Sequence, residues 1–155
     1  MKTPQMHENM YNKIEREAKK SWDLFYKVNK TNFYKDRHYI KHEFVELVDR
    51  LAKNPEQNFV LLDAGCGVGN GFYPLYQEYS DRLSVHCCDF SPRAVDFVKK
   101  NEAYNAEKIN ASVCDLVNDP ALPFPSETAH FSILLFVLSA ISPENYSMVA
   151  KKIFD

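Results

Sequence analysis

Apolar residues recur at three- and four-residue steps among charges in the first part of the chain. Tyr11, Ile14, Ala18, Trp22 and Phe25 mark one face of an amphipathic helix that runs to about Val28. The polar stretch from Asn29 to Asn32 breaks it. A second set, Ile40, Phe44, Leu47, Val48 and Leu51, predicts another helix, which must end before Asn54-Pro55 because the residue ahead of a proline is pushed out of the α region. From Phe59 the period changes. Short apolar runs predict strands over 59–64, 83–89, 109–114 and 130–137, and helical patterns follow over 71–79, 92–101 and 143–153. Ser91-Pro92 and Ser142-Pro143 each place a hydroxyl N-cap ahead of a proline, whose missing N–H costs nothing at the first helical position.

This alternation predicts an α/β fold with a parallel sheet and helices on both faces, formed by residues 59–155 and preceded by a helical extension over 1–58. The run from Phe131 to Leu138 would be a long apolar edge strand, and natural sheets cover or pair such edges. The expectation is therefore a sheet truncated after its fourth strand.

At 155 residues, 45% apolar and 14% aromatic, the chain fits one globular unit with a real core, which excludes a disordered chain. No apolar run approaches the roughly 20 residues needed to cross a bilayer, and the first eight residues lack the apolar stretch of a secretory signal. The expected setting is soluble and intracellular, cytoplasmic with the nucleus as the alternative, and no membrane partner is expected. Cys66, Cys87, Cys88 and Cys114 form no CxxC pair and have no histidine at ligand spacing, so neither a metal nor a disulfide framework is expected. They read as reduced thiols, buried where they lie in strands. The net charge of −2 conceals an asymmetry: residues 1–58 carry 12 Lys/Arg against 9 Asp/Glu, and the rest carry 7 against 12. A basic first segment beside an acidic core is compatible with a nucleic-acid partner and equally with an ordinary solvated surface.

Chemistry concentrates after the first strand, in Asp63-Ala64-Gly65-Cys66-Gly67-Val68-Gly69. A glycine loop there lets backbone approach a ligand closely. The spacing is GxGxG, not the GxGxxG of dinucleotide binders, and it resembles the first motif of Rossmann-like methyltransferases, whose ligand is S-adenosylmethionine. A tight strand-to-helix turn would explain the glycines too. Asp89 ends the next strand, 20 residues after Gly69, where an acidic side chain can accept hydrogen bonds from both ribose hydroxyls. At the third strand's end, Asp115 and Leu116 stand where methyltransferases of this class place a carboxylate by the adenine amino group and an apolar side chain on the ring. Asp115 fits a capping role equally well. The fourth strand lacks the Asn/Asp-Pro-Pro-aromatic motif of enzymes that methylate exocyclic amino groups and has Phe136-Val137-Leu138-Ser139-Ala140 instead. By itself this leaves open an oxidoreductase or another nucleotide binder of the same fold, and the expected truncation leaves open a non-catalytic cofactor- or tRNA-binding fragment.

A more specific resemblance runs from Tyr11 to Phe154. Tyr11-Asn12-Lys13-Ile14-Glu15-Arg16-Glu17-Ala18, Trp22-Asp23-Leu24-Phe25-Tyr26-Lys27, Asn32-Phe33-Tyr34-Lys35-Asp36-Arg37-His38, the glycine loop, Cys88-Asp89-Phe90-Ser91-Pro92-Arg93-Ala94 and Phe136-Val137-Leu138-Ser139-Ala140 are similar to the tRNA N3-methylcytidine methyltransferases of the methyltransferase-like group. The resemblance implies a class I, Rossmann-like sheet, S-adenosylmethionine as cofactor, and methylation of N3 of a cytidine in a tRNA anticodon loop. It favours serine tRNA for a branch carrying Asp-Phe-Ser-Pro, with seryl-tRNA synthetase as a partner that some relatives require. It also implies that Trp22 and Tyr26 fold over the cofactor, although an amphipathic helix would bury them as core residues in any case. Gly65, Asp89, Asp115, Leu116 and Leu135 are its further cofactor contacts, beside Asp63, Gly67 and Gly69 of the loop. Lys35, Arg37, His38 and Lys41 are the candidates for tRNA phosphate contacts, or else solvated charges. Cytosine N3 bears a neutral lone pair, so no catalytic base is assigned.

Overall fold

In a computed structural model, which describes residues 4–31 and 39–154 (the backbone alone at 4–12 and 14–16), four parallel strands form the centre. They are β1 (Phe59–Ala64), β2 (Leu83–Asp89), β3 (Ile109–Val113) and β4 (Phe131–Ile133), in the spatial order β3-β2-β1-β4. The fold is the parallel α/β arrangement that the alternation predicts, of the Rossmann-like class that the resemblance implies. In β1 every residue but Val60 is buried, as expected of a parallel strand covered on both faces. The register sets Ala64 beside Cys88 and Asp89 beside Val113, so the loops that leave β1, β2 and β3 emerge side by side. Because the chain steps outward from β1 to β3 and then returns to the other side of β1 for β4, a crevice opens at the carboxyl ends of β1 and β4, where folds of this type hold ligands.

The helices are α1 (Pro4–Asn29), α2 (Ile40–Glu43), α3 (Val45–Lys53), α4 (Tyr73–Tyr79), α5 (Pro92–Lys99) and α6 (Tyr146–Phe154). Ile40, Leu47 and Leu51 from α2 and α3 pack into one core cluster with Phe59, Leu61, Phe72, Leu75, Val85 and Val98. A second cluster joins Ala64, Cys88, Cys114 and Leu116 to Val149 of α6. Ser91 caps α5 as expected, its Oγ accepting from the Ala94 N–H at 3.3 Å.

Three expectations are corrected. The single helix over 40–51 is broken at Phe44 (φ −103°, ψ 58°), a one-residue departure that leaves the apolar spacing on both sides in phase. The Ser142-Pro143 start opens a 3-10 turn (Pro143–Asn145) ahead of α6, and the Ser142 hydroxyl bonds to Glu144 and not to a helix N–H. The eight-residue edge strand over 130–137 shrinks to the three residues of β4. Pairing with β1 stops at Asp63–Ile133, close to where β1 turns into the glycine loop and the ladder has no further strand to continue on. Phe136 adopts φ +62°, outside the β region, and Leu138–Ala140 form a 3-10 turn.

Candidate active site

The glycine loop curls over the ends of β1 and β2. Gly65, Gly67 and Gly69 have φ of +80°, +55° and +92°, the left-handed region that side chains disfavour. At Gly65 a Cβ would lie 2.3 Å from Cγ2 of Val137, and at Gly67 it would lie 2.9 Å from the Tyr26 hydroxyl. The two glycines therefore let the loop run close beneath α1 and the segment after β4. Much of the loop's donor capacity is used internally. The Gly65 and Cys66 N–H groups both donate to the Cys88 carbonyl at 2.8 and 2.9 Å, and Gly67 N–H donates to Asp89 Oδ2 at 3.0 Å. The loop is thus clamped onto the end of β2.

Asp89 is the other half of that clamp. Its Oδ1 accepts from the Ser91 N–H at 2.9 Å, and the side chain is 6% exposed. Burial outweighs these two N–H donors and pushes its carboxyl up to about 6. Asp115 is the opposite case. Burial raises it, but the Asn118 side chain and the backbone N–H groups of Asn118 and Val117, with the nearby Lys19 ammonium, hold it below its ordinary value. Its Oδ1 accepts from both N–H groups at 3.0 and 3.1 Å, so it does build the turn after β3. That turn is also fastened from α6, where the Lys152 ammonium donates to the Leu116, Val117 and Asp119 carbonyls.

Between the loops lies a cavity of about 170 Å³. Trp22, Tyr26, Asp63, Gly65, Gly67, Asp89, Asp115, Leu116 and Leu135 all line it, and α1 forms its roof with Ala18, Trp22 and Tyr26 at four-residue steps. Gly69 does not line the cavity; its place is under the Tyr73 ring, which a Cβ would meet at 2.6 Å. Lys41 lies outside the lining and pairs with Glu78 of α4, while Lys35, Arg37 and His38 fall outside the described residues.

Sequence reasoning missed Val68, Asn70, Phe90, Val117 and Asn118 as lining residues, along with Asp23 of α1, which bonds to Ser91 and Arg93. Val68 lies inside the glycine motif and Phe90 inside the Cys88–Ala94 segment, while Asn70, Val117 and Asn118 stand next to named motifs. All four cysteines are buried free thiols. A hydrogen bond with Cys87 and burial push the Cys66 thiol well up, so it stays neutral and is no nucleophile. Among the described residues no group of His, Cys, Asp and Glu could hold a metal ion, and no helix is long and apolar enough to cross a membrane.

Comparison with known proteins extends this. The chain is 49% identical over 144 residues to a Rattus norvegicus protein named tRNA N(3)-cytidine methyltransferase METTL6, covering 92% of this chain and 49% of the relative. It is 44% identical over 136 residues to the tRNA N(3)-methylcytidine methyltransferase trm141 of Schizosaccharomyces pombe, covering 85% and 52%. The chain spans about half the length of the curated relatives it matches. Among solved structures, the phosphoethanolamine N-methyltransferase 1 of Haemonchus contortus, in complex with phosphoethanolamine and S-adenosylhomocysteine, aligns over 92% of this chain and 30% of its own (TM-score 0.61, 17% identity). The magnesium protoporphyrin IX methyltransferase of Synechocystis with bound SAM aligns over 90% and 70% (TM-score 0.60, 17% identity), and both likenesses show the fold. A family profile described as a methyltransferase domain matches residues 61–155, from within β1 through the glycine loop to the last residue, and the chain belongs to that family.

Proposed function

We propose that this chain carries the cofactor-binding part of an S-adenosylmethionine-dependent enzyme that methylates N3 of a cytidine in tRNA. The observation that carries the reading is convergence: Trp22, Tyr26, Gly65, Gly67, Asp89, Asp115, Leu116 and Leu135, drawn from five separate segments, line one cavity. The cofactor fits the donor set. Each Asp89 oxygen accepts one N–H and keeps a lone pair for a ribose hydroxyl, and Asp115 Oδ2 accepts from Asn118 with capacity left for an adenine amino group. Leu116 and Leu135 offer apolar surface to the ring, and a Cβ at Gly67 would fill the cradle beneath Tyr26. Asp63 and the loop close the amino-acid end.

When bound, the cofactor supplies an electrophilic methyl group on a sulfonium. Cytosine N3 needs no deprotonation to attack it, so this chain's residues act by alignment and exclusion of water. The Trp22 and Tyr26 rings roof the site, and such aromatic rings attract a positive charge. Carboxylate and carbonyl oxygens around the cavity stabilise the charge that develops on the methylated base. N3 lies on the Watson–Crick edge, so the target must be unpaired, as in a loop.

The segments divide the work: residues 1–58 provide the roof and tRNA contacts, and 59–155 hold the cofactor. Lys35, Arg37 and Lys41 are assigned to tRNA phosphates and His38 to positioning. Serine tRNA is the favoured substrate and seryl-tRNA synthetase the candidate partner, on the likeness of Asp89-Phe90-Ser91-Pro92 to that branch. Such an enzyme works where tRNA is processed, in the cytoplasm or nucleus. Two measurements test the proposal. Calorimetry of the chain with S-adenosylhomocysteine and with NAD should give saturable binding of the first alone; binding of NAD alone overturns it. Disrupting the gene should remove 3-methylcytidine from serine tRNA, with restoration by the wild-type gene and not by its Asp89→Ala form. Unchanged 3-methylcytidine after disruption overturns the substrate.

A further inference from the structure

The helix α1 presents two faces to the rest of the molecule. One carries Trp22 and Tyr26 over the cavity; beside it, Asp23 reaches α5. The Ser91 hydroxyl donates to Asp23 Oδ1 at 2.7 Å, the Arg93 N–H reaches the same oxygen at 3.4 Å, and the Arg93 guanidinium lies 3.4 Å from Oδ2. Phe25 and Phe97 flank the junction in an apolar cluster with Tyr26, Val68 and Ala94. Among the described side chains of α1, Leu24 and Val28 face solvent, 56% and 72% exposed.

Ser91, itself fully buried, has three duties. Its hydroxyl caps α5 and donates to Asp23, and its N–H donates to Asp89. A continuous hydrogen-bonded path thus runs from the roof helix, Asp23 to Ser91 to Asp89, ending on the carboxylate assigned to the ribose.

We propose that Asp23 is a positioning residue that latches α1 shut over the cavity, so that roof closure and occupation of the Asp89 end are coupled through Ser91. This rests on the cofactor reading for its ligand but not for its geometry. With the latch made, the two rings close the cavity; with it broken, α1 loses its ionic and hydrogen-bonded tie to α5 and keeps the apolar cluster there. A ligand that immobilises Asp89 immobilises Ser91 as well, which favours the docked helix. By reciprocity the docked helix slows the ligand's departure.

Trp22 is the sole tryptophan of the chain, so its emission reports on the roof directly. In the ligand-free protein Asp23→Ala should shift this emission to the red and raise its quenching by acrylamide, with the far-ultraviolet circular dichroism unchanged. The S-adenosylhomocysteine dissociation rate should rise about 10-fold, as expected for losing a carboxylate's hydrogen bonds. Asp23→Asn keeps an acceptor for Ser91 and should fall between the two. In a protein lacking both rings (Trp22→Ala, Tyr26→Ala), Asp23→Ala should add nothing to the dissociation rate. Wild-type emission and quenching in Asp23→Ala would overturn the latch. A 10-fold effect that persists without the rings would overturn its action through the roof. Absence of S-adenosylhomocysteine binding in the wild type would sink the cofactor reading instead, and the Trp22 signal would still decide the latch.

Discussion

The glycine loop and α1 enclose the same cavity by opposite means. Residues 65–69 are buried or half-buried, bent through three left-handed glycines and clamped by backbone N–H groups to the Cys88 carbonyl and Asp89. The described side chains of α1 are mostly exposed, and the helix is fastened at one end of α5. Covalent geometry fixes the first; a few replaceable side-chain contacts fix the second. On the proposed latch, the contrast leads to a division in which the loop defines where a ligand sits and the helix governs how long it stays. A local opening of low cost is expected of the helix and not of the loop.

The largest test of this contrast is Gly65→Ala. Alanine at φ +80° is strained, and its Cβ would meet the stiff, β-branched Val137 at 2.3 Å. Strain and overpacking together should cost about 2–4 kcal/mol of stability. Urea unfolding and calorimetry should show stability and S-adenosylhomocysteine affinity falling together. Loss of affinity at wild-type stability would show that the loop, like α1, is merely a cover.

The second test exploits the raised carboxyl of Asp89. Between pH 5 and pH 7 this group passes through its value of about 6, and only the ionised form offers acceptors to both ribose hydroxyls. Affinity for S-adenosylhomocysteine should rise with pH across that window and level off above it, and Asp89→Asn should abolish the rise. The neighbouring Cys66 thiol stays neutral throughout and adds nothing to the slope. For the ligand-free fold the sign is reversed. A carboxyl whose native value lies above its unfolded value of 3.8 contributes stability that is full below about 4 and is lost as pH rises through about 6, on the order of 3 kcal/mol. The wild-type minus Asp89→Asn stability difference should therefore decline from about pH 4 to about pH 6 and level off above, overlapping the lower part of the range in which binding improves.

The sequence made most of the loop side legible and little of the roof's attachment. A GxGxG after an apolar run and an aspartate at the next strand's end are local patterns, and the parallel register simply brings their ends together. The core spacing of Ile40, Leu47 and Leu51 was equally readable, but the break at Phe44 was not, because it leaves the apolar period intact. The short β4 was illegible for a related reason. Leu134 to Leu138 have strand composition, yet strand pairing with β1 ends at Ile133, where β1 turns into the glycine loop, a fact of tertiary register. Asp23 stood in a segment shared with the family but carried no sign of its role: a charged residue beside an amphipathic stripe reads as solvated until α5 is placed 70 residues away in sequence.

The smallest effect is expected at Lys41, which touches neither the loop nor α1 and so marks how far the contrast extends. Its ammonium pairs with Glu78 on the surface, the two side chains being 30% and 41% exposed. An exposed pair of this kind contributes about 0–1 kcal/mol, so neither Lys41→Met nor Glu78→Gln should change urea unfolding appreciably. The two substitutions part company with RNA. If Lys41 exchanges Glu78 for a tRNA phosphate, Lys41→Met should weaken tRNA binding and reduce the slope of log affinity against log salt by about 1. Glu78→Gln should instead strengthen binding slightly, because the ammonium no longer has to leave a carboxylate. If the pair serves only to hold the start of α2 against α4, both slopes will match the wild type. Equal slopes would then remove Lys41 from the proposed tRNA contacts.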